Sequence, residues 1–258
     1  MFRLDGKSAL VTGSTGHLGR QLVLSLCEFG AHVFVNARNF DACEELVSLV
    51  TSKGGSASVA SFDVTDEEQV HRFSKSIDLL DILVNNSYSG KGGTVETADS
   101  SDYVSSYCSS VVASANLVKT FLPNFRNAVS NNGYASVINI SSMYGSVSPD
   151  HRIYETDEGT NPPFYGAAKA GLIQFTRYAA CEFAREKIRF NSISPGPFPS
   201  DQVQLNTPKL VEQIVSKVPM NRIGQPVDLA GAVIFLSSNA SSFVTGINLP
   251  VDGGWTAW

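Results

Sequence analysis

The strongest constraint on this chain is a rhythm: short apolar, β-branched runs separated by longer stretches with helical spacing. The runs are "SALVT" (8–12), "AHVFVN" (31–36), "ASVASF" (57–62), "DILVN" (81–85), "ASVINI" (135–140), "IRFNSI" (188–193) and "INLPV" (247–251). A strand wetted on one side alternates apolar and polar residues, whereas one covered on both faces is apolar nearly throughout. Helical patterns lie between the runs at about 18–29, 40–52, 66–77, 100–127, 164–184 and 226–237. The alternation predicts an α/β fold, a doubly wound parallel sheet of about seven strands with helices on both faces.

Composition sets the outer limits. At 258 residues, 43% hydrophobic and 17% charged, the chain fits one large α/β domain over 1–258, and wholesale disorder is excluded. A net charge of −5 without any Lys/Arg cluster predicts no nucleic-acid partner. Cys27, Cys43, Cys108 and Cys181 are widely spaced, with no CxxC pair and no neighbouring histidine. They read as buried or half-buried thiols of a reducing compartment and not as a metal set. The N-terminus enters the first strand without an apolar signal core, and no run is long enough to span a membrane. A cytoplasmic protein is expected.

Ligands of open α/β sheets sit beyond the carboxyl ends of the strands. The irregular segments 86–98, 145–163 and 195–208 each follow a predicted strand, so they are expected to wall a site. After strand one comes "TGSTGHLGR", where Gly13, Gly16 and Gly19 open a helix and enclose Ser14, Thr15, His17 and Leu18. Glycines here permit a tight turn and close approach of backbone to a pyrophosphate, whose charge suits a helix N-terminus. An ordinary strand–helix turn is the alternative, and His17 reads equally as a solvated first-turn histidine. Asp63, followed by Val64 in "SFDVTD", is placed at the third strand end to accept from an adenine amine. Thr65 is the expected cap of the next helix, with Glu68 completing the box. The second strand ends without a carboxylate to hold a ribose 2′-hydroxyl, and Arg38 after Ala37 suits a 2′-phosphate. NADP(H) is therefore expected over NAD(H), against the alternative of a solvated loop arginine.

Tyr165 and Lys169, in "YGAAK" behind two prolines, share one face of a predicted helix. An ammonium beside a phenol favours phenolate and is expected to lower the pKa of Tyr165, suiting it to pass a proton to or from a substrate oxygen.

The ordered set of TGxxGxxG, "NN" at 85–86, "ISS" at 140–142, YxxxK, "PGP" at 195–197 and the C-terminal "GINLPVDGG" resembles the short-chain dehydrogenase/reductase family along essentially the whole chain. The resemblance implies an NAD(P)-dependent oxidoreductase acting on a small alcohol/carbonyl substrate. Tyr165 would be its general acid/base. Lys169 would tune that phenol and hold the nicotinamide ribose, and Ser142 would orient the substrate oxygen. It further implies that Asn85 lines the adenosine side, and that Pro195, Gly196, Phe198 and Ser200 form the loop meeting the carboxamide. A homodimer or homotetramer is implied, with helices 100–127 and 164–184 in a shared bundle.

Three departures stand out. The glycine spacing is that of the longer, sugar-nucleotide-acting branch, which raises an epimerase or dehydratase as an alternative; a non-catalytic nucleotide sensor on the same fold is another. Ser110 occupies the position of the family's relay asparagine. Tyr88, in "NNSY", stands where a glycine is usual, either leaning into the mouth of the site or simply packing. The segment between Ser142 and Tyr165 is also longer than usual and mixed in charge. Tyr144, His151, Arg152 and Tyr154 are its candidate substrate contacts, solvated loop side chains being the alternative. Its polarity points to a sugar or sugar-acid derivative. Similar inserts occur in relatives from bacterial surface-sugar (nonulosonic acid) pathways.

Overall fold

The computed structural model describes residues 1–258. Seven parallel strands form one sheet: β1 (Ser8–Val11), β2 (His32–Val35), β3 (Ser56–Val59), β4 (Ile82–Asn85), β5 (Ala135–Ile140), β6 (Ile188–Pro195) and β7 (Asn248–Val251). Their order is β3-β2-β1-β4-β5-β6-β7, so the winding reverses between β1 and β4. That reversal parts the loops above the two strands and opens a crevice for a ligand.

The apolar strand runs feed two cores, one on each face. On one face Ala9, Val11, Val33 and Val84 meet helix α1 (His17–Glu28), α2 (Phe40–Ser52) and α9 (Ala230–Ser237) through Leu22, Leu26, Leu46 and Val233. On the other, Leu10, Leu83 and Val137 meet α3 (Glu67–Ser74), α5 (Ala113–Asn132) and α6 (Pro163–Phe183) through Val70, Phe121, Phe125 and Ala179. Neighbouring residues of one strand thus serve opposite cores, which is why these strands tolerate so few polar residues. No helix is long and apolar enough to cross a membrane.

The predicted helix 100–127 is two helices. α4 (Ser100–Tyr107) joins α5 through a π-helical turn, Cys108–Val112, and α5 runs on to Asn132. Two further helices, α7 (Asp201–Asn206) and α8 (Pro208–Lys217), occupy the expected loop 195–208 and the residues after it. β3 ends at Val59, so Asp63 stands beyond the strand and not at its end. The cap of α3 is Asp66, which accepts from the backbone of Glu68 and Gln69; Thr65 instead hydrogen-bonds to Asp63. A carboxylate is the better cap at a helix N-terminus because the macrodipole favours its charge. All four cysteines are free, and Cys108 and Cys181 are exposed, against the expectation of burial.

Candidate active site

A cavity of about 1020 Å³ opens above the carboxyl ends of β1, β2, β4, β5 and β6. The glycine turn forms one end. Gly13 holds φ +62, and a Cβ there would lie 3.0 Å from the Cα of Ser87. Gly19 is tighter, because a Cβ would stand 2.1 Å from the Gly13 carbonyl oxygen. Only glycine lets the first turn of α1 pack against this loop. Helix α1 starts at His17 with no acidic residue in its first turn, so its amide dipoles favour an anion in the cavity. Thr15, Gly16, His17, Leu18, Asp63, Val64 and the exposed Arg38 line this end, and Arg38 takes part in no ion pair. A backbone cradle, a helix N-terminus and an unpaired guanidinium fit a dinucleotide phosphate.

Two predicted residues face away. Ser14 is buried and donates its hydroxyl hydrogen to the Val11 carbonyl, 2.6 Å away. Asn85 is buried at the end of β4, and its amide donates to Asn139 Oδ1 at 2.8 Å. Asn86 and Ser87, just past the end of β4, line the cavity instead, and the Asn86 amide donates to the Thr12 and Gly13 carbonyls at 3.0 and 3.1 Å.

The reactive residues form the other end. Ser142 follows β5 and caps the turn Met143–Gly145, its Oγ accepting from Tyr144 N at 3.1 Å. Pro162 and Pro163 start α6, whose first turns carry Tyr165 and Lys169. Gly145 and Gly166 bring these elements together. A Cβ on Gly145 would sit 3.0 Å from Ala170 N, and one on Gly166 would sit 2.8 Å from Tyr144 O. Ser142, Tyr165 and Lys169 consequently line the cavity together with Pro195, Gly196, Phe198 and Ser200; Ser200 caps α7.

Lys169 is 3% exposed, and its ammonium donates to the Ile140 carbonyl at 2.8 Å. Burial lowers its pKa to about 8. Tyr165 behaves differently from the sequence-based expectation. Burial pushes its phenol up; hydrogen bonding to Ser142 opposes this, and the neighbouring Tyr88 reinforces it. The Lys169 ammonium lies 5.7 Å from the Tyr165 ring centroid and is turned to Ile140, so it does not pull the phenol down in this arrangement.

Ser110 sits in the π-helical turn, 1% exposed, with no partner for its hydroxyl, and it does not line the cavity. Tyr88 does line it, whereas Tyr144, His151, Arg152 and Tyr154 do not. The Tyr144 and Tyr154 hydroxyls bond to each other at 3.2 Å, and burial pushes both phenols up. Arg152 turns back on Asp150 at 2.8 Å, and His151 is exposed. The insert is stapled to its neighbours instead: Asp150 also binds Lys217 of α8, Glu155 binds Lys209 at 3.4 Å, and Gly93 N donates to Thr160 O at 3.1 Å. Ser105, Cys108 and Ser109 are lining residues that the sequence did not single out. Their helical spacing was visible, but not which face the π-turn would present.

A family model described as enoyl-(acyl carrier protein) reductase matches residues 14–256. The rhamnolipid-biosynthesis 3-oxoacyl-[acyl-carrier-protein] reductase of Pseudomonas aeruginosa is 32% identical over 98% of each chain. The chain belongs to the short-chain dehydrogenase/reductase family. Among solved members of that family, the gluconate 5-dehydrogenase from Burkholderia cenocepacia J2315, in complex with NADP and tartrate, superposes with a TM-score of 0.88 at 28% identity, covering 100% of this chain and 98% of that one. A 7α-hydroxysteroid dehydrogenase complexed with NADH and 7-oxo glycochenodeoxycholic acid gives a TM-score of 0.87 at 28% identity, covering 98% and 95%. This short-chain dehydrogenase/reductase is thus an oxidoreductase of the class acting on CH–OH groups, and of the two solved relatives one holds NADP and the other NADH.

Proposed function

We propose that the chain acts as one nucleotide-binding unit over 1–258 that interconverts an alcohol and a carbonyl with NADP(H), preferred to NAD(H). The observation that carries this reading is the single cavity joining Ser142, Tyr165 and Lys169 to the glycine turn and Arg38. Gly13, Thr15, Gly16, His17, Leu18 and Gly19 would hold the pyrophosphate. Arg38 would hold the 2′-phosphate, Asp63 and Val64 the adenine side, with Asn86 taking the place foreseen for Asn85. Pro195, Gly196, Phe198 and Ser200 would hold the carboxamide side. A bound nicotinamide supplies or accepts the hydride.

Ser142 orients the substrate oxygen by donating a hydrogen bond to it. In reduction Tyr165 gives its phenolic proton to that oxygen; in oxidation the phenolate takes one back. Lys169 places a positive charge beside the phenolate as it forms. A phenol that burial holds neutral gains most from that charge, since charge interactions strengthen where water is excluded. Ser110 is buried off the cavity, so its part in any relay is indirect.

The hydroxyls of Ser105, Ser109, Ser142 and Ser200 around the cavity support a polyhydroxylated substrate, a sugar or sugar-acid derivative. The exposed Tyr103, Val104, Tyr107 and Tyr178 on α4 and α6 support a homodimer or homotetramer, and a monomer by light scattering at micromolar concentration would remove that part. Tyr165→Phe tests the chemistry. Turnover should fall by on the order of 1000-fold, while NADPH affinity stays within about threefold. Unchanged turnover would falsify the mechanism.

A further inference from the structure

Tyr88 lies in the loop after β4 with its ring held from several sides. Its hydroxyl and the Ser106 Oγ are 3.1 Å apart, and Ser106 donates to the Phe164 carbonyl at 3.1 Å. The ring meets that of Tyr165 edge to face, centroids 4.9 Å apart at 73°. Lys169 Nζ lies 5.2 Å from the Tyr88 ring centroid. Gly90 leaves the space free, since a Cβ there would stand 2.4 Å from the Tyr88 hydroxyl.

Lys169 needs such a neighbour. Its ammonium is buried with one hydrogen bond, to a neutral carbonyl, and no carboxylate pairs with it. Desolvation disfavours a lone buried cation. The titratable groups facing it are Tyr88, from the loop after β4, and Tyr165, from its own helix; β5 offers a carbonyl and has no acidic residue. An aromatic face within about 6 Å attracts a cation, more strongly where water is excluded. Tyr165 changes its own protonation in the proposed chemistry. Tyr88 is tied to Ser106, and burial pushes its phenol up, so it remains a neutral ring throughout.

We propose that Tyr88 is a positioning residue whose ring keeps the Lys169 side chain charged and held against the wall of the cavity beside Tyr165. This rests on the role given to Lys169 above, but its test does not need turnover. Competitive acetylation of the full-length protein with acetic anhydride, across neutral to alkaline pH and read peptide by peptide by mass spectrometry, gives the titration of Lys169 itself. In Tyr88→Phe and Tyr88→Trp, which keep an aromatic face, the midpoint should stay near that of the parent. In Tyr88→Leu, and in Tyr88→Met should the leucine variant fail to fold, it should fall by roughly half to one pH unit. An unchanged midpoint in the aliphatic variant overturns the proposal. So does a fall in Tyr88→Phe as large as that in Tyr88→Leu, because it would assign the effect to the hydroxyl. Tyr165→Phe separates the two readings: undiminished turnover there sinks the proposed reaction and leaves the labelling result standing.

Discussion

The glycine turn lines the cavity, whereas the insert joins two of its lining residues, Ser142 and Tyr165, without lining it, and opposite physics holds the two. At the turn, backbone touches backbone, with no space for a methyl group on Gly19. At the insert, charged side chains reach across to α8, through Asp150 with Lys217 and Glu155 with Lys209. Steric contact is insensitive to salt and pH, whereas exposed ion pairs weaken with both. The glycine end of the site is therefore built to one shape, whereas the insert behind Ser142 and Tyr165 can be retuned by exchanging charges.

The comparison breaks most directly at Gly19. In Gly19→Ala the helix must move away from the turn, an overpacking cost of typically 1–3 kcal/mol, and the anion cradle opens with it. NADPH affinity, followed by fluorescence titration, should drop by on the order of 100-fold or more while the far-UV circular dichroism stays that of the parent. Affinity near the parent value would show that the close contact at this end does not shape the site.

Lys169 gives a comparable effect that depends on pH. Its folded pKa, about 8, lies below the ordinary value of 10.5. The unfolded chain therefore binds more protons between those values, and stability rises with pH in that window. Relative to Lys169→Met, the parent should gain about 2–3 kcal/mol in denaturant unfolding as pH climbs from about 8 to about 10.5. A constant difference would mean that the ammonium is not desolvated. In turnover the sign reverses: loss of the charge as pH rises through about 8 should lower activity on the alkaline side.

Arg38 lies between these extremes, exposed like the insert but aimed at the anion end. Arg38→Ala should weaken NADPH by roughly 10- to 100-fold, the worth of a charge-assisted contact, and leave NADH within about twofold. Equal losses for both cofactors would remove the 2′-phosphate role.

What the sequence made legible follows the same divide. The seven strands, the glycine turn and the Ser142–Tyr165–Lys169 set depend on local period and spacing, and these are written in consecutive residues. Asn85 and Asn86 show the limit of that reading. The motif marks the pair, but only the register of β4 on β5 reveals that Asn85 turns to Asn139 and Asn86 to the cavity. Helix α8 had a clear signal in the spacing of Leu210, Val211, Ile214 and Val215, masked by the prolines before it. The pKa of Tyr165 is not legible in the sequence, because i and i+4 spacing says that two side chains share a face, not where the ammonium points. The length and mixed charge of the insert suggest a substrate surface. Its charges instead find partners far along the chain, on α8, and no local pattern encodes a pairing at that separation.

Asp150 is the smallest and most discriminating break. Its carboxyl is held well below the usual carboxylate range by hydrogen bonds from Arg152 and Lys217, so the network is intact at neutral pH and dissolves only as pH falls through that depressed value. Asp150→Asn removes the charge at every pH and leaves Lys217 without its partner. Exposed pairs contribute little to global stability, so the melting temperature should barely move. Local opening should increase, because the insert then loses its tie to Lys217 and keeps only the contacts of Ile153, Tyr154, Glu155 and Thr160. Limited proteolysis within 150–160 should speed up by about two- to fivefold, with high salt bringing the parent towards the variant. If KM for the substrate rises alongside while kcat holds, the insert shapes the substrate end through α8 and not by touching the ligand. If cleavage and KM both match the parent in low salt, the charges merely decorate the loop, and the contrast with the glycine turn reduces to one of exposure.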